Sequence, residues 1–266
     1  MHLQASDGIL LLTFPHLAAA GVTHGISTRL GGVSAPPFDA LNLSLAVGDA
    51  PEHVAANRRR WAAALGVAPD RIAQPRLVHG AAVVSLRAPE DAPGVDRPLD
   101  IRADGAVTDC PGVALLMTFA DCLPILLVDQ RTGAIGLAHA GWRGTLAGIA
   151  TATVEALAQA FGTRPADLLV GLGPGIRACC YEIGADVVAA TERALPGDAA
   201  DVLVQEDGAV RMDLVAASRR LLERAGVDPA AIADAALCTR CHHRLFFSHR
   251  AARGPTGRGA ALIARP

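Results

Sequence analysis

Short apolar runs separated by clusters of glycine, proline and aspartate predict many strands, and four longer segments with helical spacing predict helices. The predicted strands cover residues 9–14, 22–29, 41–45, 82–87, 103–109, 113–119, 125–128, 134–138, 168–172, 235–239 and 245–250. The predicted helices run to residue 65 from a cap at Asp49, over 145–161 and 185–195, and from a cap at Asp213 to Gly226. This mixture predicts an α/β protein, made of one large domain or two small ones.

Residues 118–144 predict a β-hairpin around which the rest of the chain is organised. Residues 125–128 form one apolar strand, a polar turn follows, and residues 134–138 form the returning strand. Pro124 cannot donate to a ladder and stands where the first strand begins. The backbone over residues 120–122 is therefore predicted to be irregular and open to a ligand.

The register of this hairpin decides which side chains meet. With Val128 opposite Gly133, Cys122 faces His139, and facing side chains on one sheet have Cβ atoms about 4.5–5.5 Å apart. A thiolate and an imidazole at that separation can bind one metal ion. A slip of one residue would put the two side chains on opposite faces of the sheet.

A turn flanked by glycines follows His139 and precedes the helix predicted over residues 145–161. Gly141 and Gly144 allow the backbone to approach a ligand closely, and the amide groups at a helix start favour an anion. Arg143 stands between them and is a candidate anion contact. By contrast, residues 88–102 contain three prolines and predict a long loop that could act as a lid.

Composition excludes several classes of function. All 24 basic residues are arginine, so mechanisms that need a Schiff-base lysine or a phosphate-loop lysine are excluded. A net charge of -2 and 3% aromatic residues give no basis for nucleic-acid binding. No apolar run is long enough to span a membrane and no secretory signal is visible, so we expect a cytoplasmic protein with mostly reduced cysteines.

Most cysteines carry weak signals. Cys238 and Cys241 form a CxxCH pattern with His242, which is compatible with haem attachment, redox chemistry or zinc. Haem attachment requires export, and no second CxxC exists to complete a four-cysteine zinc site, so we interpret the pattern as a chance match. Cys179 and Cys180 are adjacent, which disfavours a disulfide between them. Cys110 is interpreted as a turn residue.

His79, Cys122 and His139 form a stronger set, because three separate segments each place a ligand-type residue beside glycine or proline at a strand end. Two histidines and one cysteine leave a fourth tetrahedral position open, as in catalytic zinc sites. Spacing alone leaves a second interpretation open, in which Cys122 and His139, with Asp121 beside them, form a nucleophile and base pair.

Six motifs, taken in order along the chain, resemble the laccase-domain family, also described as polyphenol oxidases or purine nucleoside phosphorylases of the YfiH type. They are LVHG from Leu77, ADGAVTD from Ala103, ADCLPILL from Ala120, HAGWRG from His139, GPGIRACCYEIG from Gly173, and CT with FFSHR near the end. The resemblance covers essentially the whole chain. It implies one α/β (α+β) domain over residues 1–266, with mixed β-sheets flanked by helices in a CNF1/YfiH-like fold. It also implies that His79, Cys122 and His139 bind the metal.

The resemblance further implies phosphorolysis of adenosine, inosine and methylthioadenosine, with additional adenosine deaminase activity and zinc, or copper, as the metal. Copper-dependent phenol oxidation and editing of peptidoglycan precursors are the rival activities; a cysteine amidase would use Cys122 as nucleophile and His139 as base. The family commonly has glutamine where Leu77 stands, so a polar contact beside His79 is absent and substrate preference is in question.

Substrate contacts are assigned from residue chemistry. Arg29 and Arg143 are the predicted phosphate contacts, and Asn42 is the predicted sugar contact. The expected partners are therefore a purine nucleoside and phosphate, with no nucleic acid, no membrane and no protein partner inferable. The HxE and PCxxC pattern of cytidine-type deaminases is missing, so any deamination would use a different scaffold.

Overall fold

A computed structural model describes residues 1–266 and contains two six-stranded mixed sheets. The first sheet has the spatial order β1-β2-β3-β14-β7-β4. Its strands are β1 (His2–Ser6), β2 (Ile9–Thr13), β3 (Thr23–Ser27), β4 (Ile72–Ala73), β7 (Ala114–Phe119) and β14 (Gly259–Ala264). The short β4 runs parallel to β7, whereas the other neighbours are antiparallel.

The second sheet has the order β13-β10-β8-β9-β6-β5 and contains the central hairpin. Its strands are β5 (Val83–Leu86), β6 (Gly105–Thr108), β8 (Leu123–Asp129), β9 (Ile135–Ala140), β10 (Leu168–Leu172) and β13 (Ile232–Asp234). A separate hairpin pairs β11 (Leu203–Glu206) with β12 (Ala209–Met212). Every residue of β8 and β9 is buried, which explains their continuous apolar sequences.

Eight helices connect and cover the sheets. They are α1 (Pro15–Ala19), α2 (Pro51–Ala64), α3 (Trp142–Leu146), α4 (Ile149–Phe161), α5 (Ala185–Ala194), α6 (Ala199–Val202), α7 (Leu214–Arg224) and α8 (His249–Ala252). Asp213 caps α7 as predicted, accepting from the amides of Val215 and Ala216. Asp49 does not cap α2. Its carboxylate instead accepts hydrogen bonds from the Ser34 hydroxyl and the Asn42 side-chain amide.

The segment predicted as one helix over residues 145–161 is two helices. Gly148 has a φ of 86° and separates α3 from α4. An isolated glycine does not end every helix in a sequence, so the break could not be read from the pattern. Because α3 begins at Trp142, Arg143 lies in a first helical turn rather than in a preceding loop.

The central hairpin forms, but its register differs from the prediction by two residues. Val128 pairs with Ile135 rather than Gly133, and His139 pairs with Pro124. The Asp129 amide donates to the Ala134 carbonyl, so residues 130–133 form the turn. A shift of two residues preserves the face on which each side chain lies, so Cys122 and His139 remain on one side of the sheet.

The C-terminal strand predictions are wrong. Residues 235–239 and 245–250 form turns and the start of α8, and β14 occupies the middle of the first sheet. Residues 41–45 are also irregular, although Leu41 and Leu43 are fully buried. The alternation of apolar residues over 41–45 indicates burial of every second side chain rather than strand pairing, because an irregular segment can also bury alternate side chains.

Residues 88–102 are attached to the protein and do not form a lid. The Val95 amide donates to the Pro69 carbonyl, and the Leu99 amide donates to the Gln74 carbonyl. The Arg58 guanidinium, almost fully buried, donates to the Val95 carbonyl. These hydrogen bonds hold residues 88–102 against the first sheet and away from the candidate site.

The largest hydrophobic cluster takes side chains from both six-stranded sheets. Leu115 and Met117 of β7 join Leu126 of β8 and Leu137 of β9, all fully buried. Because the two sheets share one closely packed core, the loops at their ends keep fixed positions relative to one another. None of the helices combines the length and the apolar character that crossing a bilayer requires.

Candidate metal centre and cavity

His79, Cys122 and His139 converge although 43 residues separate the first two in sequence. Their ligand atoms all lie within 4.8 Å of one another. The two imidazole rings have centroids 4.9 Å apart and are nearly perpendicular. One thiol and two imidazoles at these separations can hold a single tetrahedral metal ion.

The local backbone geometry directs the three donor side chains toward one another. His139 is in β9 and almost fully buried, whereas Cys122 stands one residue before β8. Asp121 has a φ of 84° and His79 a φ of 60°. Residues other than glycine seldom adopt this left-handed conformation, which concentrates at functional sites. The predicted irregular backbone over residues 120–122 is therefore present.

Asp104 supports two of the three donors and is completely buried. Its Oδ1 accepts from Nδ1 of His139 and from the His79 amide, each at 2.9 Å. Its Oδ2 accepts from the amides of Val78 and Gly80. Asp104 therefore orients the His139 ring with Nε2 as the free nitrogen and also shapes the loop that carries His79.

Gly141 leaves the room that the three donors need. A Cβ atom at this position would lie 2.9 Å from the Cys122 sulfur and 3.4 Å from Cδ2 of His79. The position has a φ of -81°, so glycine is not required there by the backbone. Its missing side chain is what keeps the sulfur and imidazole accessible to a shared ion.

Charge coupling between Cys122 and His139 is strong. Burial opposes ionisation of the Cys122 thiol, but His139 and His79 lower its pKa to about 6. Burial also opposes charge on His139, but Cys122 and Asp104 raise its pKa to about 9. Without a metal the two form a thiolate and imidazolium pair, and a cation placed between them replaces the proton.

A cavity of about 570 Å³ opens over the three donors. Besides the donors it is lined by Ser44, Ala46, Val47, Leu77, Thr118, Ala120, Asp121, Gly141, Trp142, Arg143, Ile176, Tyr181, Leu214, His249, Arg250 and Arg258. This volume suits a small-molecule ligand of nucleoside size.

Asp121 joins the loops that form this cavity. Its carboxylate accepts from the Thr239 hydroxyl at 2.6 Å and from the Arg250 amide at 2.7 Å. Its carbonyl accepts from the Ile176 amide at 2.8 Å. Because Asp121 adjoins Cys122, these bonds connect the cavity walls directly to the metal-ligand segment.

Arg143 and Arg258 present positive charge to the cavity. The Arg143 guanidinium packs over the Trp142 ring at 4.2 Å and makes no hydrogen bond within the chain. Arg258 uses only Nη1, which donates to its own segment. Burial lowers the pKa of Arg258, while Cys122 and Asp121 oppose that change. Both side chains keep donors free for an anion.

Arg29 and Asn42 lie outside the cavity. Arg29 donates to the Asp39 carboxylate and carbonyl and to the His243 carbonyl. Asn42 is completely buried, and its amide donates to the Ser44 carbonyl. Its Oδ1 accepts from the amides of Ser44 and Arg258, both of which line the cavity. Neither Arg29 nor Asn42 lines the cavity itself, and their roles as ligand contacts stay predictions.

The sequence prediction missed Asp104, Arg258 and Tyr181 as members of the site. Asp104 is in the ADGAVTD motif and Tyr181 in GPGIRACCYEIG, so a signal existed in both cases. Only the pairing of β6 with β9 shows that Asp104 adjoins His139. Arg258 precedes β14, whose central place in the sheet was not predicted.

Comparison with known proteins identifies the class. The profile of the family described as "Multi-copper polyphenol oxidoreductase laccase" matches residues 23–266. The structure superimposes on the crystal structure of YlmD from Geobacillus stearothermophilus with a TM-score of 0.91, 38% identity, and coverage of 98% of this chain and 97% of that chain. A Bacillus licheniformis YfiH structure gives 0.90 with 33% identity and 99% coverage of both chains.

Curated relatives carry a more specific name. A protein of Deinococcus radiodurans named "Purine nucleoside phosphorylase" is 42% identical over 264 residues, which is 99% of this chain and 96% of the relative. "Purine nucleoside phosphorylase YlmD" of Geobacillus stearothermophilus is 39% identical over 92% of this chain and 91% of the relative. The chain belongs to this laccase-type family of YfiH and YlmD proteins, as the sequence motifs predicted.

Proposed function

We propose that the protein is a metal-dependent purine nucleoside phosphorylase, with His79, Cys122 and His139 holding zinc. The observation that carries the proposal is the Arg143 guanidinium, which packs over the Trp142 ring, makes no hydrogen bond within the chain and lines the same cavity as the three donors. A guanidinium group with free N–H donors, placed beside a set of metal ligands, can bind phosphate while a neutral organic substrate occupies the rest of the cavity. The relatives named as purine nucleoside phosphorylases support this choice.

The donor chemistry fits zinc well. Two imidazole nitrogens and one thiolate with an open fourth position are typical of catalytic zinc, and Asp104 supplies the carboxylate that holds a ligating histidine. Zinc held there would supply Lewis acidity and lower the pKa of a bound water. Copper also accepts this donor set, so the choice of metal is decided by measurement.

The residues of the chain would do the following in phosphorolysis. Arg143 and Arg258 hold phosphate so that one of its oxygens attacks the anomeric carbon, while the bond from that carbon to the purine nitrogen breaks. The Tyr181 hydroxyl is available as a donor to the substrate, because burial and Cys122 raise its pKa to about 12 and keep it protonated. The base leaves with the proton that the attacking hydrogen phosphate gives up, and ribose 1-phosphate remains.

Adenosine, inosine and methylthioadenosine are the proposed nucleosides, with hydrolytic deamination of adenosine as an additional activity. Leu77 lines the cavity beside His79, so the wall is apolar at that position. An apolar contact favours substrates with an apolar substituent over those that need a hydrogen bond there. Methylthioadenosine is therefore expected to be a good substrate.

The test is incubation of zinc-loaded protein with adenosine, with and without phosphate, followed by product identification. Adenine with ribose 1-phosphate, formed only when phosphate is present, supports phosphorolysis. Inosine formed with or without phosphate supports deamination. Absence of both products, from folded protein with a full complement of metal, would exclude the proposal.

Two further candidates each have one observation in their favour. The family description names a multi-copper oxidase. Oxygen uptake on a phenol by copper-loaded protein tests this activity. The single donor set of His79, Cys122 and His139 is small for the four-electron reduction of oxygen, which needs several copper ions. The lowered pKa of Cys122 suits a cysteine amidase acting on peptidoglycan precursors. That activity would survive a chelator and be lost on alkylation.

A further inference from the structure

A second cluster of metal-type ligands lies outside the candidate site. The sulfurs of Cys179, Cys180, Cys238 and Cys241 all lie within 4.8 Å of one another. The CxxC pair, interpreted from the sequence as a chance match, therefore lies beside two further thiols. Cys179 and Cys180 supply the second pair that the sequence does not contain as a CxxC.

Strand pairing brings the two cysteine pairs together. β10 and β13 are parallel neighbours, so the loops that follow their carboxyl ends leave the sheet at the same edge. The loop after β10 carries Cys179 and Cys180, and the loop after β13 carries Cys238 and Cys241. A bridge between Gly175 and Cys238 continues the pairing beyond the strands.

Both loops are ordered by contacts that do not involve the thiols. The Thr239 amide donates to the Gly175 carbonyl at 3.1 Å. Arg177 makes a two-bond ion pair with Asp234, at 3.0 and 2.9 Å. The thiols are thus held in place by the surrounding fold, which lowers the entropy cost of binding a common ligand.

The sulfur separations match a tetrahedral metal site rather than disulfides. Cys241 Sγ lies 3.7 Å from Cys179 Sγ and 3.4 Å from Cys180 Sγ. Four sulfurs each about 2.3 Å from one zinc ion are about 3.8 Å apart. A disulfide needs about 2.05 Å and would pair Cys241 with one neighbour only.

Hydrogen-bond donors surround the cluster as they do at thiolate sites. The backbone amides of Arg177, Arg240 and Cys241 lie close to the Cys238 sulfur, which is almost fully buried. The Arg240 side chain lies beside Cys180. Amide donors and guanidinium groups stabilise the excess negative charge of four thiolates around a divalent cation.

We propose that Cys179, Cys180, Cys238 and Cys241 bind a structural zinc ion, separate from the ion at His79, Cys122 and His139. Four protein ligands leave no open position, which is typical of a structural site. Each thiol that coordinates gives its proton to solvent, so binding becomes stronger as pH rises. The ion would join the loop that places Ile176 and Tyr181 in the cavity wall to the loop whose Thr239 donates to the Asp121 carboxylate.

The first test is the zinc content of full-length protein purified under reducing conditions and then dialysed against dilute zinc. We expect the Cys179→Ser/Cys241→Ser variant to hold one zinc ion fewer per chain than the unmodified protein. Cys110→Ser is the matched control, because Cys110 belongs to neither cluster, and it should lose none. Equal zinc content in the double variant and the unmodified protein would overturn the proposal.

A second test does not depend on folding of the double variant. In Cys122→Ser protein the only clustered thiols are the four proposed ligands. Cobalt added to this variant should give the intense near-ultraviolet charge-transfer absorption of several thiolates on one tetrahedral ion. Absence of that absorption would exclude the site. So would an intact mass that shows the loss of hydrogens expected for disulfides in protein kept under reducing conditions.

Discussion

The Asp104 carboxylate lies 2.9 Å from Nδ1 of His139, and both groups are buried. The contact leaves Nε2 of His139 directed at the Cys122 side and links metal-ligand geometry to the His79 loop. A carboxylate behind a ligating histidine typically strengthens metal binding by holding one tautomer and one ring orientation. The arrangement of the three donors therefore depends on a residue that is not itself one of them.

Replacing Asp104 with Asn should weaken zinc binding at the triad about 10- to 100-fold. The side-chain amide of asparagine would point a donor at one of the groups that now donate to Asp104. The measurement is the zinc concentration that protects Cys122 from iodoacetamide, followed by peptide mass mapping, which reports on this site alone. Asp100→Asn is the control, because Asp100 is almost fully exposed. Unchanged protection would contradict the role assigned to Asp104.

Gly141→Ala should also lower zinc protection of Cys122 while leaving the fold intact. The new methyl group would lie 2.9 Å from the Cys122 sulfur, so the sulfur or the His79 ring must move. Gly254→Ala is the matched control, since a Cβ there meets only one carbonyl oxygen at 3.9 Å. If both variants retain full protection and the same thermal midpoint, the space at Gly141 has no part in metal binding.

Alkylation of metal-free protein should depend on pH with a midpoint near 6 at Cys122. His139 and His79 lower the pKa of this thiol against the effect of burial, so the thiolate predominates above about pH 6 and is lost below it. The measurement is the iodoacetamide rate at Cys122 from pH 4 to 9 in the presence of a chelator. Denatured protein should show the ordinary cysteine midpoint of about 8.5 instead. The same midpoint in both states would contradict the coupling.

Arg143→Ala should raise the phosphate KM about 10- to 100-fold and leave zinc protection of Cys122 unchanged. The variant loses charge-assisted hydrogen bonds to the anion, and the guanidinium has no structural partner other than the Trp142 ring. Initial rates of adenosine phosphorolysis at varied phosphate give the KM. Arg60→Ala, which removes an exposed arginine on α2, is the control. An equal KM in both variants would remove Arg143 from the phosphate site.

Asp129→Ala should lower the free energy of unfolding by about 1–3 kcal/mol, because it leaves donors of the central turn unpaired. The buried carboxylate accepts from the Arg131 amide at 2.8 Å and from the Thr132 hydroxyl at 2.7 Å. Urea unfolding at pH 7 gives the difference between the two proteins.

The same variant makes a prediction about acid. Burial tends to raise the pKa of Asp129, but hydrogen bonds from Thr132 and Arg131 lower it below its ordinary value. Its contribution is therefore complete above about pH 4, the unfolded value, and is lost as pH falls through the lower folded pKa. The stability difference between Asp129→Ala and the unmodified protein should shrink over that range. A difference that stays constant below pH 4 would contradict this assignment.

The central hairpin was predictable because its contacts are local. A polar turn between two apolar runs brings neighbouring segments together, and period-two alternation keeps Cys122 and His139 on one face even when the register changes by two residues. His79 was singled out from its place beside glycine at a predicted strand end, and the family resemblance then supported it. Its position rests on a left-handed backbone and on Asp104, neither of which a pattern of apolar residues reports.

The sequence by itself determined the residue types of the candidate metal triad, the glycine-flanked turn after His139 and the absence of lysine chemistry. Only the tertiary structure decided that Asp104 supports the triad and that Cys179 and Cys180 meet Cys238 and Cys241. These contacts depend on β6 pairing with β9 and β10 pairing with β13, strands that are far apart in the chain. Such pairings are chosen by burial in a common core, so no local stretch of sequence encodes them.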